Sequence, residues 1–214
     1  MGNKTKEIIT KKPKEWSAEF WEHKYLIIVS LIFLIVALLL GTIAGNYVDG
    51  KNSLAVKDII LDNIPTLNLT FLYVYGSALI TLLLFIYPLF FEVKSLHRAI
   101  SQFALLNLIR SFFISLTHLA IPVSALVYTT PAWFTFIDFK NALFFSQHTA
   151  TPFLGFLLFK NKKIGIFFLI GTIVMALTVL FMHVHYSIDV FAALFIAYGS
   201  YNLGNWLFKK INHY

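Results

Sequence analysis

The amino-acid sequence predicts an all-α integral membrane protein with six transmembrane helices and both termini in the cytosol. Composition points there first: of 214 residues, 58% are hydrophobic and 13% charged, where soluble domains carry about 25% charged residues. Second, apolar runs close to the ~20 residues that cross a bilayer recur along the chain. Third, lysine and arginine gather in alternate connections between those runs, as the positive-inside rule requires. Six spans of about 20 residues leave too little chain for an added soluble domain, which excludes a tethered soluble enzyme. The sequence contains no cysteine, so disulfides, iron–sulfur clusters, thiolate zinc sites and cysteine nucleophiles are excluded together. The formal charge of +7 reads as a polybasic face on anionic lipid, with no nucleic acid as partner.

The elements follow in order. A basic cytosolic tail, residues 1–24, precedes an uninterrupted apolar run from Tyr25 to Ala44. That run is longer than the 7–15-residue core of a signal peptide and is read as a retained helix. Further spans are expected at Phe71 to Phe91, Ala99 to Ile121, Leu143 to Phe159, Ile164 to Met182 and Ser187 to Phe208. Pro88 and Pro122 stand near span ends, where a helix kinks or stops. Residues 25–208 form the membrane domain, and 209–214 a second short basic tail. Thirteen of the seventeen lysines and arginines fall on one side: Lys4, Lys6, Lys11, Lys12, Lys14, Lys24, Lys94, Arg98, Lys160, Lys162, Lys163, Lys209 and Lys210. The opposite loops hold Lys51, Lys57 and Lys140, and Arg110 lies within the third span. The thirteen mark the cytosolic side, so both termini lie there and the number of spans is even. A Met-Gly start lacks the serine or threonine of a myristoylation signal, having Lys6 instead. The sequon Asn68-Leu69-Thr70 lies too close to the second span to be read as a glycan site, and no internal repeat is present.

Ionisable side chains in spans are costly, so each is a functional candidate. His148, in Ser146-Gln147-His148-Thr149, stands near the start of the fourth span. His183, His185 and Asp189 stand at the start of the sixth. Both starts face outward, so the two stretches meet at one depth. His185 and Asp189 are four apart, which on a helix puts them on one face and lets the carboxylate fix the imidazole tautomer. The other ring nitrogen is then a lone pair for attack or proton abstraction. Displacement at a phosphate ester also needs an acid for the departing oxygen, a role that suits His148. The helix N-termini at this face favour a phosphate as well. Arg110, roughly 18 Å above Arg98 on the third helix, is expected to reach a polar well with Thr117 two turns above it and to grip phosphate oxygens in bidentate fashion. Pairing of Arg110 with Asp189 or Asp138 is the structural alternative. His97, His118 and His213 read as polar residues at interfacial helix ends, and the phenylalanines as lipid-facing or packing groups.

These motifs resemble the sphingomyelin synthase branch of the type 2 phosphatidic acid phosphatase superfamily. That branch reads His-Asp-His-Tyr-Thr-Val-Asp-Val where this chain has His183-Val184-His185-Tyr186-Ser187-Ile188-Asp189-Val190. Its Ser-Gly-His-Thr corresponds to Ser146-Gln147-His148-Thr149, with Gln147 in place of glycine. Two arginines twelve apart, a threonine seven on and a proline five beyond match Arg98, Arg110, Thr117 and Pro122, and an early Asp-x-x-x-Asp is echoed by Asp58 and Asp62. The resemblance spans about residues 55 to 200 and implies a bundle of that superfamily's kind with its site at the outer face. It implies that His185 attacks phosphorus to give a phosphohistidine-like intermediate, that Asp189 orients it, and that His148 protonates the leaving diacylglycerol. Ser146, His183 and Tyr186, with Arg110 and Thr117, are then expected around the substrate phosphate, and no cofactor is implied. The chain departs from the branch at Ala142, where an aspartate would stand, and from the simple phosphatases at Val179, where they have an arginine.

The expected function is transfer of a phospho-headgroup from a glycerophospholipid donor to ceramide or another lipid alcohol, by a monomer or an oligomer. A lipid phosphatase or phospholipase C-like hydrolase, with water as acceptor, shares the first half-reaction. A metal-dependent enzyme using His148, His183, His185 and Asp189 as ligands, and a non-catalytic lipid binder, are the alternatives from other classes.

Overall fold

The computed structural model describes residues 13–132, 139 and 141–209. Lys4, Lys6, Lys11, Lys12, Asp138, Lys140, Lys210 and His213, all named in the sequence analysis, lie outside the described residues. Every apolar run becomes helix. The order is α1 (Pro13–Asp49), α2 (Ser77–Phe91), α3 (Leu96–Leu116), α4 (Gln147–Phe159), α5 (Lys163–Phe181) and α6 (Ser187–Lys209). Among the described residues there is no β-strand beyond an isolated parallel bridge between Leu54 and Leu119. Four helical segments are long and apolar enough to cross a membrane, namely Glu15–Asp49, Leu72–Phe91, Val93–Leu116 and Lys163–Phe181. The chain is therefore an all-helical protein of the membrane class.

The boundaries differ from the expected ones at several helix ends, among them the starts of α1 and α4 and the end of α3. Helix α1 is already formed at Pro13, where the described residues begin, twelve residues before Tyr25. Trp16 anchors that extension by donating from its indole to the Leu89 carbonyl at 2.8 Å. Helix α3 stops at Leu116, short of Ile121. Thr117 caps it with extended backbone (φ −117°, ψ 121°), and its hydroxyl donates back to the Phe113 carbonyl at 3.1 Å. Helix α4 starts at Gln147, four residues later than Leu143, because Ser146 is its N-cap and accepts from the Thr149 N–H.

With 13 residues, α4 is about 20 Å long, shorter than the ~30 Å hydrocarbon core. The non-helical approach to its N-terminus is covered by packing. Ala142, Leu143, Phe145 and Ser146 are all buried. Packing then follows side-chain size. Helix α6 presents Ala193, Ala197, Ser200 and Gly204 to its neighbours, all buried, the small-residue seam that lets membrane helices approach closely. At Gly204 a Cβ would run into the Gln102 side chain of α3, and at Gly155 into the Phe168 ring of α5. The central core joins Leu84, Leu106, Phe145, Leu154, Phe168 and Met175. The ends of α1, α3 and α5 and the starts of α2, α4 and α6 gather at one face of this up-and-down bundle. Lys94, Arg98, Lys160, Lys162, Lys163 and Lys209 stand at the other.

Candidate functional site

The α5–α6 connection runs from Met182 to Tyr186 and is anchored by two carboxylates. Asp189, in the first turn of α6, accepts from the Tyr186 backbone N–H at Oδ2 (3.0 Å), while the Asp189 N–H donates to the Tyr186 carbonyl at 3.0 Å. This is one half of a capping box, with Tyr186 as N-cap and Asp189 at the third helical position; the Tyr186 side chain takes no part in the cap. The same Oδ2 lies 3.3 Å from His185 Nδ1. His185 and Asp189 do come together, but His185 precedes the helix. Their contact arises from the cap, not from a shared helical face. Both side chains are buried.

The second carboxylate is Asp58, from the loop before α2. Its Oδ2 accepts from the Ser187 N–H at 2.7 Å and the Ser187 hydroxyl at 2.8 Å. Oδ1 accepts from the N–H groups of Ile60 (2.9 Å) and Leu61 (3.2 Å). Burial raises the Asp58 pKa, but the four hydrogen bonds, led by those from Ser187, outweigh it and hold the carboxyl below its ordinary value. The resemblance had only matched Asp58 to a motif. Its role as a cap for a helix 129 residues away leaves no local trace in sequence.

His148 and His185 face one cavity of about 450 Å³. Their ring centroids are 6.2 Å apart. Tyr73 stacks on His148 with centroids 4.1 Å apart and planes 26° apart, and Tyr128 meets Tyr73 edge-on at 5.2 Å. Tyr73 lies in a π-helical turn, Leu72–Gly76, at the head of α2, a device that re-aims side chains at functional sites. Sequence reasoning missed it because a tyrosine at a span end reads as interfacial belt. Arg110 lines the same cavity. One guanidinium nitrogen donates to the Ala142 carbonyl, and its buried Nε has no hydrogen-bond partner among the described residues. No described carboxylate forms a salt bridge with Arg110; Asp138 lies outside the described residues. Asn107, one turn before Arg110, and Gln147 join the wall, as do apolar Ile80, Phe85 and Phe103. Gln147 is the first residue of α4 and none of the positive-φ positions. Glycine's freedom is not required there, and the Gln147 amide donates to the Thr151 hydroxyl at 3.2 Å.

Four expected substrate-binding residues stand off the cavity wall. Thr117 is occupied in capping α3. Ser146, fully buried, caps α4 and accepts from the Thr149 hydroxyl at 3.3 Å. The Tyr186 hydroxyl donates to the Ala120 carbonyl (2.9 Å) and accepts from the Val56 N–H (3.1 Å), tying two loops to the turn. His183 points away from the cavity, with Nδ1 2.6 Å from the Ser124 hydroxyl and 3.4 Å from that of Thr66. Among the described residues no three histidine, aspartate or glutamate side chains stand together as a metal site, because His183 turns outward while His185 turns in.

The arrangement offers two imidazoles on one volume, one of them held by a carboxylate, with a cation beside them and a mostly apolar wall. Compared with known proteins, the chain matches no family model, no curated protein and no solved structure.

Replacing Asp58 with alanine leaves the Ser187 N–H without its cap, and should cost about 1–2 kcal/mol, the scale of a lost N-cap. Thermal unfolding in detergent reads this as a lower Tm. Because its folded pKa lies below the ordinary 3.8, the carboxylate's stabilisation is complete above that value and is lost as pH falls through the folded pKa. The Tm difference between wild type and Asp58→Ala should therefore be present at neutral pH and shrink under strong acid. An unchanged Tm at neutral pH would mean that Ser187 has found another acceptor.

Proposed function

We propose that this protein is an integral-membrane lipid phosphotransferase of the sphingomyelin synthase-like kind. In this reading it moves a phospho-headgroup from a glycerophospholipid to ceramide or another lipid alcohol, in a six-span bundle with cytosolic termini and an extracytosolic site. The observation that carries the reading is the pairing of His185 with Asp189 on the cavity that His148 and Arg110 also line. Asp189 accepts the Nδ1 proton of His185 and leaves Nε2 as a lone pair. Nε2 attacks phosphorus, the P–O bond to diacylglycerol breaks, and a proton from His148 goes to the departing oxygen. In the second half-reaction His148 takes the proton of the acceptor hydroxyl as its oxygen attacks phosphorus and the P–N bond breaks. Arg110 offers positive charge to the phosphate oxygens in both steps. The apolar wall from Ile80 to Phe103 suits acyl chains, which favours a lipid alcohol over water as acceptor.

Purified protein given labelled phospholipid, with and without ceramide, tests the reading by mass spectrometry of the lipids. New phospho-ceramide supports transfer, and headgroup phosphate with diacylglycerol regardless of ceramide would replace it by hydrolysis. No turnover of any lipid would remove the enzyme reading.

Within a working assay, His185→Ala, Asp189→Asn and His148→Ala should each lower turnover by at least about 10²-fold with the fold intact. His183→Ala should lose less, since its ring is committed to Ser124 and Thr66. Equal losses at all four positions would argue for a shared metal instead.

Arg110→Lys keeps the charge but loses the planar two-point grip, and should cut turnover while leaving Tm nearly unchanged. If turnover survives and Tm falls, Arg110 serves only to hold the Ala142 segment. Orientation is testable in intact cells: Lys57→Cys should react with an impermeant thiol reagent and Lys162→Cys should not. The reverse pattern would place the histidines in the cytosol.

A further inference from the structure

The basic end of the bundle holds a second cavity, of about 360 Å³, in the size range of small-molecule and lipid sites. Leu26, Val29 and Phe33 of α1 and Phe208 of α6 form its apolar side, and His97 and Arg98 at the start of α3 form its polar end. The cavity opens toward lipid, since Val29 is 63% exposed. It is remote from the histidine site: twelve residues of α3 separate Arg98 from Arg110, about 18 Å along the helix.

Arg98 is held in place by neutral groups. One guanidinium nitrogen, Nη2, donates to the Tyr201 hydroxyl (3.1 Å) and to Asn205 Oδ1 (3.0 Å). Gln102 braces the same acceptor, donating to Asn205 Oδ1 at 3.2 Å and to the Tyr201 carbonyl at 3.1 Å. Gly204 makes this possible, because any Cβ there would displace the Gln102 amide. None of these partners is a carboxylate, and no described carboxylate forms a salt bridge with Arg98. A full positive charge is thus fixed at the polar end of an apolar, lipid-facing cavity, with a second hydrogen-bonding nitrogen and Nε uncommitted among the described residues. Paired donors of this geometry match phosphate oxygens. No described carboxylate compensates this charge, and the apolar side suits an anion that carries acyl chains.

We propose that this cavity binds one anionic glycerophospholipid, with its phosphate on Arg98 and an acyl chain along Val29, Phe33 and Phe208. The site is separate from the proposed phosphotransfer site and does not depend on that reading.

Native mass spectrometry of the whole protein in detergent, titrated with phosphatidylglycerol or phosphatidylcholine of equal chain length, tests the proposal. The first phosphatidylglycerol adduct should form about tenfold more tightly than the phosphatidylcholine adduct, whose phosphate is the same but whose choline cation cancels the net negative charge that Arg98 attracts, the order of one basic residue's attraction to anionic lipid. Arg98→Gln should abolish that preference. Because this variant also disturbs the Tyr201–Asn205 cluster, Val29→Trp serves as the second test. It leaves Arg98 untouched, fills the cavity mouth at an exposed position, and should weaken phosphatidylglycerol binding by a similar factor. Glycerol phosphate, which has the anion without the chains, should not compete. Equal binding of the two lipids, an intact preference in both variants, or full competition by glycerol phosphate would each overturn the proposal.

Discussion

A single carboxylate oxygen, Oδ2 of Asp189, organises the site end of the molecule. It closes the N-terminal cap of α6 through Tyr186 N–H and holds His185 through Nδ1. The helix start and the imidazole therefore cannot move independently. The backbone carbonyl of Asp189 extends the same linkage by accepting from the Ser146 N–H at 3.0 Å, which sets the N-cap of α4 and so the position of His148. Two residues from different helices are brought to one cavity through one side chain and its own main chain. Asp58 takes the Ser187 N–H and hydroxyl from a third segment, so the cap is held from both sides.

The bilayer explains why these polar groups are arranged so tightly. A donor or acceptor left unpaired in hydrocarbon costs several kcal/mol, so a short helix ending inside the bundle survives only where its exposed termini are capped. Helix α4 meets that condition with Ser146, and α6 with Asp189 and Asp58. Asp189 and Ser200 of α6 are buried along with Gly204, while Phe191, Phe195 and Trp206 are exposed on the opposite side. Two buried atoms on residues that line the cavity, Nε of Arg110 and Oε1 of Gln147, have no hydrogen-bond partner among the described residues, as do the hydroxyls of Ser53 and Ser200 away from it. Open groups on a cavity wall are where a ligand's own polar atoms are expected.

The helical content was legible because apolar runs of this length have few alternatives in lipid. The convergence of His148, His185 and Asp189 was legible too, from spacing and from the alternation of loop charge. The reason for the His185–Asp189 contact was not. A four-residue spacing fits a helical face, and sequence alone does not reveal that the helix begins at Ser187. The same limit applies to Thr117, placed on a helical face although α3 had already ended, and to Ser146 and Tyr186, whose motif positions suggested substrate while their hydrogen bonds serve caps and loops. Tyr73 and Asp58 were missed as site-builders for the opposite reason. Each reaches its partner through contacts that join distant segments, Tyr73 to His148 and Asp58 to Ser187, and no periodicity encodes that pairing.

His183 shows how the short α5–α6 connection serves two ends. Its φ of +54° is the one positive value among the described non-glycine residues, a left-handed conformation that costs an ordinary residue about 1–2 kcal/mol. The chain must reverse between Phe181 and Ser187, and a left-handed residue lets it do so within five positions. That reversal also separates the two histidines of the motif, sending His183 toward Ser124 and Thr66 and His185 toward the cavity. The hydrogen-bond contact of Nδ1 with Ser124 at 2.6 Å offsets part of the backbone strain, which glycine would avoid but could not exchange for a tether. The strained position thus lies next to the cavity without lining it. Its effect is to hold the Thr66 and Ser124 loops on the turn while Asp189 holds His185, so that loop position and imidazole orientation are set by the same few residues.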